Sequence, residues 1–263
     1  MQEIIDIGWG QLGVFGLILV VPLTINHYYQ LNLGRDIVLG VGRMTIQLCL
    51  VGVYLEYLFS LNSLTINLLW LVLMVMVGAS AILSKSQLPK RVLMGPVSAG
   101  LMIGLAPLLL ILCLAVVQPT PLYSAQYVIP LSGMLLGNSL SGNIVALQNL
   151  FSAYEERKME YEAAISLGAS PYYASRPFVQ NAMQKALAPI LASMTTMGLV
   201  TLPGMMTGQI LSGASPMVAI KYQLMIMIAI FTMMSISLTL CIQFTQRKIL
   251  TKEGRVSVSF LKR

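Results

Sequence analysis

The chain has 263 residues, of which 57% are hydrophobic and only 10% charged, and a net charge of +7. Soluble domains carry about a quarter charged residues, so this composition excludes an ordinary water-soluble fold. The apolar residues come in runs of roughly 20, the length that spans a hydrocarbon core at a helical rise of 1.5 Å per residue.

Within a bilayer no water satisfies backbone N–H and C=O groups, which leaves helices or a closed barrel. The runs lack the two-residue alternation of barrel strands. The expected fold is therefore all-α: a polytopic membrane helical bundle forming a single transmembrane domain over residues 1–263, with about seven spans. These are predicted at 7–25, 37–59, 64–83, 92–117, 127–151, 189–211 and 217–244. The first run is too long for a signal-peptide core and follows no basic segment, so it is expected to stay as an anchor.

The basic residues fix an expected orientation. Arg35 lies between spans one and two, and Lys85, Lys90 and Arg91 between three and four. Arg157, Lys158, Arg176 and Lys185 lie between five and six. Arg247, Lys248, Lys252, Arg255, Lys262 and Arg263 follow span seven. With seven spans all of these fall on one side, and the opposite loops contain no Lys or Arg. The positive-inside rule then puts the N-terminus outside and the C-terminus in the cytoplasm. This asymmetry, with attraction to anionic lipid headgroups, accounts for the net charge without nucleic acid.

Several chemistries are absent. Cys49, Cys113 and Cys241 sit in apolar spans, where cysteine acts as a small hydrophobe. His27 is the only histidine, so neither a histidine metal cage nor a Ser-His-Asp arrangement can be built. No catalytic residues and no metal ligands are expected. No G-x-x-x-x-G-K-[ST] loop exists to hold ATP phosphates, so any ATP-driven step belongs to another chain.

The long connection 152–188 is not loop-like. From Ser152 to Leu167 its charged residues predict a helix extending span five into the cytoplasm. Gly168 sits where a helix C′ residue needs positive φ. Ser170 as N-cap and Pro171 at N1 predict a second short helix carrying Tyr172, Tyr173 and Arg176. Aromatic and Arg side chains suit a partner's groove; a solvated connector is the other reading.

Within the connection, Glu162-Ala163-Ala164, three residues and Gly168 resemble the EAA loop of ABC-transporter permeases, which docks into the ATPase subunit. An aliphatic position of that pattern is Phe178 here, and its Leu-Pro is replaced by Gln180-Asn181. Beyond this loop, DIVLGVGRMTIQL (36–48), SGMLLGNSLSGN (132–143), SLGASPYYAS (166–175), GLVTLPGMMTGQIL (198–211) and SPMVAIKYQ (215–223) resemble the FetB family of ABC permeases. That resemblance runs from about residue 35 to residue 245. It implies an iron- or other metal-exporting permease of the bacterial plasma (inner) membrane, used as a homodimer. No cofactor is expected on this chain; ATP and Mg²⁺ belong to a separate ATPase subunit. A proton-driven secondary transporter and a non-transporting membrane adaptor are the alternatives.

Intramembrane features supply candidates for a translocation path. Pro203 and Gly204 interrupt span six beside Met205 and Met206, as a site-lining discontinuous helix or a tolerated kink. The eighteen methionines suit packing, or a soft-metal route. Glu56 and Lys221 lie at matching depths, as an ion pair or as two independently snorkelling groups; Arg43 is deeper, with no partner apparent. On span five, Asn138, Ser141, Gly142, Val145, Gln148 and Asn149 share one face below Met134, and Leu136, Leu140, Ile144, Leu147 and Phe151 the other. The first face is expected to line the path and the second to meet lipid. Gly133-x-x-x-Gly137 also fits a helix-packing seam.

Overall fold

A computed structural model describes residues 7–251, 254–257 and 260. Lys252, Lys262 and Arg263 of the expected basic tail, and the expected outer segment 1–6, lie outside the described residues. The fold is all-α. Helices α1 (Trp9–Gly16) and α2 (Val20–Tyr28) are joined by a 3-10 turn at Leu17–Leu19. Then come α3 (Gly34–Leu61), α4 (Leu64–Lys85) and α5 (Lys90–Ile111), the last continuing as a π-helical stretch, Leu112–Val117. Next are α6 (Ala125–Glu156), α7 (Lys158–Ser166), α8 (Pro171–Ala174), α9 (Arg176–Thr196), α10 (Gly204–Leu211) and α11 (Pro216–Ile249). Among the described residues six segments are long and apolar enough to cross a bilayer: Trp9–Tyr28, Gly34–Leu61, Leu64–Lys85, Lys90–Val117, Ala125–Glu156 and Pro216–Ile249.

The sixth expected span, 189–211, is not one helix but a discontinuous one, the first of the two readings of its Pro203-Gly204 interruption. α9 begins back at Arg176, ends at Thr196, and is followed by an irregular stretch, 197–203, before the short α10. Gly198 takes φ +85° and its N–H donates to the carbonyl of Thr201 at 2.9 Å, closing a turn. Pro203 then caps α10 in an extended conformation, with the Thr207 N–H and hydroxyl both donating to its carbonyl. A residue without an N–H placed after a closed turn cannot carry the α9 ladder onward.

Helix α6 is the centre of the bundle, packed by α4, α5, α9 and α11. That position overturns the expected lipid face. Leu136, Leu147 and Phe151 are buried within the protein, Leu147 at 0% exposure, and Leu140 and Ile144 are partly buried against the same core. Helices α5 and α11 approach most extensively. A Cβ on Gly100 would lie 2.5 Å from Cys241 Sγ and 2.9 Å from its backbone nitrogen, so only glycine permits this contact. Asn143 is fully buried between α6 and α11, its Nδ2 donating to the Ser139 carbonyl and to Ser237 Oγ.

By contrast α1, α2 and most of α3 stand apart from this core; Leu58 is the one buried residue of α3. Leu58 packs with Ala125 and Ile129. Asn62, left-handed at φ +37°, accepts from the Ala125 N–H at 3.0 Å and so pins the start of α6 to the α3–α4 turn.

Candidate functional site: a capped hook and a groove

Local sequence builds the hook at the basic end of the bundle. α7 ends in a paired cap: the Gly168 N–H donates to Ile165 O at 2.9 Å and the Ala169 N–H to Ala164 O at 3.0 Å. This bond pair needs a left-handed residue between helix and exit, and Gly168 supplies it at φ +91°. Ser170 Oγ accepts from the Tyr173 N–H, and Pro171 opens α8. The turn and the start of the second short helix thus form as the sequence predicts, but α8 ends at Ala174, so it carries Tyr172 and Tyr173 while Arg176 opens α9 instead.

The expected straight extension of span five does not form. The helix breaks at Arg157, with φ −110° and ψ 31°, and restarts as α7. The break lets Tyr161 turn inward, where its ring lies 5.5 Å from Tyr154 and 6.3 Å from Phe178. Arg157 covers the outer face of Phe178 at 4.7 Å and pairs with Glu160 through Nε at 2.8 Å. Burial, with a smaller contribution from the Tyr154 phenol, pushes the Tyr161 hydroxyl up to about 12. Among the described residues that hydroxyl has no hydrogen-bond partner. On α11, Gln246 Nε2 donates to Tyr154 Oη at 3.1 Å and Ser175 Oγ at 2.9 Å, joining the hook to the last helix.

Much of the outer surface of the hook is exposed among the described residues. Glu162, Ala163, Tyr172, Tyr173 and Arg176 are exposed and Ala164 is partly buried; among the described residues Glu162 ion-pairs only with Lys158, at 3.6 Å. Met159 and Leu167 are 86% and 89% exposed. Neither was singled out from sequence, because a lone apolar residue in a charged helix carries no periodic signal.

A second feature is a groove of about 220 Å³ between α6, α9 and α11. Asn138, Ser141, Gly142 and Val145 line one wall, and Ala186, Pro189, Ile190 and Ser193 of α9 the other, with Met234 at the back. The small residues at 186, 189 and 193 recur at helical spacing, a signal of this wall that sequence reading passed over. Gln148 and Asn149 are not among the residues lining it. Gln148 Nε2 donates to the Lys85 carbonyl at 3.0 Å, and Asn149 Oδ1 accepts from Lys185 Nζ at 2.9 Å.

The remaining candidates are scattered. Pro203, Gly204, Met205 and Met206 lie at the α9–α10 break, Met205 packing against the main core. Glu56 on α3 and Lys221 on α11 are both exposed and form no ion pair; their equal depths do not bring them together, because α3 does not pack along α11. Among the described residues no three His, Cys, Asp or Glu side chains cluster.

Known proteins resemble this chain over most of its length. A UPF0014 membrane protein of Synechocystis sp. is 34% identical over 225 residues, covering 86% of this chain and 85% of the relative. A protein of Escherichia coli named probable iron export permease protein FetB is 31% identical over 250 residues, 94% of each chain. Protein ALUMINUM SENSITIVE 3 of Arabidopsis thaliana is 31% identical over 212 residues, 80% of this chain and 76% of the relative. No solved structure matches. With its multi-pass α-helical architecture and a family-model match over residues 9–250, the chain belongs to the uncharacterised protein family UPF0014.

Proposed function

We propose that this chain is the membrane-spanning permease subunit of an ABC transporter that exports iron or another metal. A separate ATPase subunit holds ATP and Mg²⁺ and hydrolyses the nucleotide. The observation that carries the reading is the hook: Met159, Leu167, Tyr172 and Tyr173 are exposed on a charged element at the basic end. Apolar and aromatic surface of this kind is expected to be covered by a partner protein. The metal cargo follows the printed name of the Escherichia coli relative.

In this reading the protein is a homodimer in the bacterial inner membrane, with its C-terminus cytoplasmic and one ATPase docked on each hook. The groove bearing Asn138 and Ser141 opens to one side of the single chain, as half of a shared path does. Closure of the ATPases rocks the bundles from inward- to outward-open. A passing cation then meets amide, hydroxyl and thioether groups, which bind weakly enough to release it.

The test is co-purification with the co-expressed ATPase, followed by Fe²⁺ uptake into inverted vesicles. ATP-dependent uptake lost in Glu162→Lys is expected. Uptake indifferent to ATP, or normal coupling in that variant, refutes the assignment.

A further inference from the structure

At the basic end, away from the α6–α9 groove, α9 and α11 enclose a second groove of about 520 Å³. Its residues on α11 are Thr239, Ile242, Gln243, Gln246 and Arg247, a single stripe at helical spacing. Arg176, Val179 and Met183 form the matching stripe on α9, and Tyr172 stands at the lip.

The two ends of this groove differ in chemistry. Arg176 and Arg247 sit at its mouth, both exposed, and among the described residues neither has a hydrogen-bonded or ion-paired carboxylate. Among the described residues no acidic residue lines the groove. From Arg247 down to Thr239 it descends eight residues along α11, about 12 Å. The wall there is Val179 and Met183 above the buried Ile242; the Thr239 hydroxyl is already bonded to Ser235 O, so that end presents apolar surface.

We infer that this groove is a binding site for an anionic phospholipid, its phosphate held by Arg176 and Arg247 and one acyl chain laid along Val179 and Met183. A soluble anion would use the arginines and leave the apolar cleft empty. A zwitterionic lipid would fill the cleft but bring its own cation to the arginines. Only an anionic amphiphile matches both ends, and basic pockets between helices at a membrane face bind such headgroups. The occupant bridges α9 to α11 directly beside α8, so it also steadies the hook.

The experiment uses the delipidated full-length chain in detergent, read by native mass spectrometry. Phosphatidylglycerol is expected to bind at least tenfold more tightly than phosphatidylcholine, and millimolar inorganic phosphate is expected not to displace it. Arg176→Gln with Arg247→Gln is expected to weaken phosphatidylglycerol binding about 30-fold. Met183→Trp, which fills the cleft and keeps both charges, is expected to weaken it as well. Equal binding of the two lipids, displacement by phosphate, or unchanged affinity in both variants overturns the inference. A diazirine-bearing phosphatidylglycerol on the unmutated chain gives a readout independent of variant folding. Its crosslinks are expected in segments 176–183 and 239–247, and labelling confined elsewhere also overturns the site.

Discussion

Replacing Gly168 isolates the hook from the rest of the molecule. A Cβ added there meets nothing within 4 Å, so no packing changes and the cost is confined to backbone conformation. At φ +91° an L-residue is strained by about 1–2 kcal/mol, with β-branched side chains at the upper end. Alanine is expected to cost about 1 kcal/mol and valine about 2, while asparagine, which tolerates left-handed backbone, costs least. A loss of about 2 kcal/mol lowers the ratio of closed to open hook roughly 30-fold. The direct assay is hydrogen exchange of the Gly168 and Ala169 amides, which the cap bonds to Ile165 O and Ala164 O protect. Exchange is expected to accelerate in the order Asn, Ala, Val, with the melting temperature of the whole chain in detergent nearly unchanged. Stimulation of the ATPase is expected to fall in the same order. Equal exchange in all three variants refutes the backbone argument; graded exchange with undiminished stimulation refutes the docking role alone.

Four further outcomes are expected. In a background lacking Cys49, Cys113 and Cys241, cysteines at Asn138 and Ser141 react with a water-soluble thiol reagent, whereas those at Leu136 and Leu147, sealed inside the bundle, do not. Reporter fusions after Lys85 read as cytoplasmic and after Pro121 as outside; the same sidedness at both points overturns the charge map. Gly100→Ala lowers detergent stability by about 1–3 kcal/mol through overpacking against Cys241, whereas Gly95→Ala, with open space around it, changes little in a parallel melt. Because Tyr161 is raised from 10.0 to about 12, the folded hook holds a proton that the unfolded segment loses. Its stabilisation is full below pH 10 and disappears as pH rises from 10 to 12; fluorescence of the hook tracks this loss, and Tyr161→Phe removes it.

Local features were legible because their causes are local. Gly168, Ser170 and Pro171 specify a cap, a turn and a helix start through bonds reaching no more than five residues, so their spacing alone predicts the α7–α8 turn. Membrane-crossing helices were equally legible, since chain length and hydropathy decide whether backbone groups survive in hydrocarbon. One irregularity escaped, and a second was legible only as the Pro203-Gly204 interruption. The break at Arg157 exists to bring Tyr161 onto Tyr154 and Phe178, and Phe178 is distant in sequence. The stop at Thr196 depends on the turn closed between Gly198 and Thr201, which reads as an apolar run when only hydropathy is considered.

By itself, then, the sequence determined an all-α membrane chain, a charge-marked basic end and a capped hook. Tertiary structure decided which helix is central and what each face of it touches. The physical reason lies in the solvent. In water an apolar face must be buried, but in a bilayer lipid tails are as apolar as a leucine-lined core. Leu136, Leu147 and Phe151 of α6 therefore suit either environment, and only the packing of α4, α5, α9 and α11 around them places them inside. The same holds for Gln148 and Asn149, which share a helical face with Asn138 and Ser141. Their partners, the Lys85 carbonyl and the Lys185 ammonium, come from other helices and turn that shared face into two separate sites.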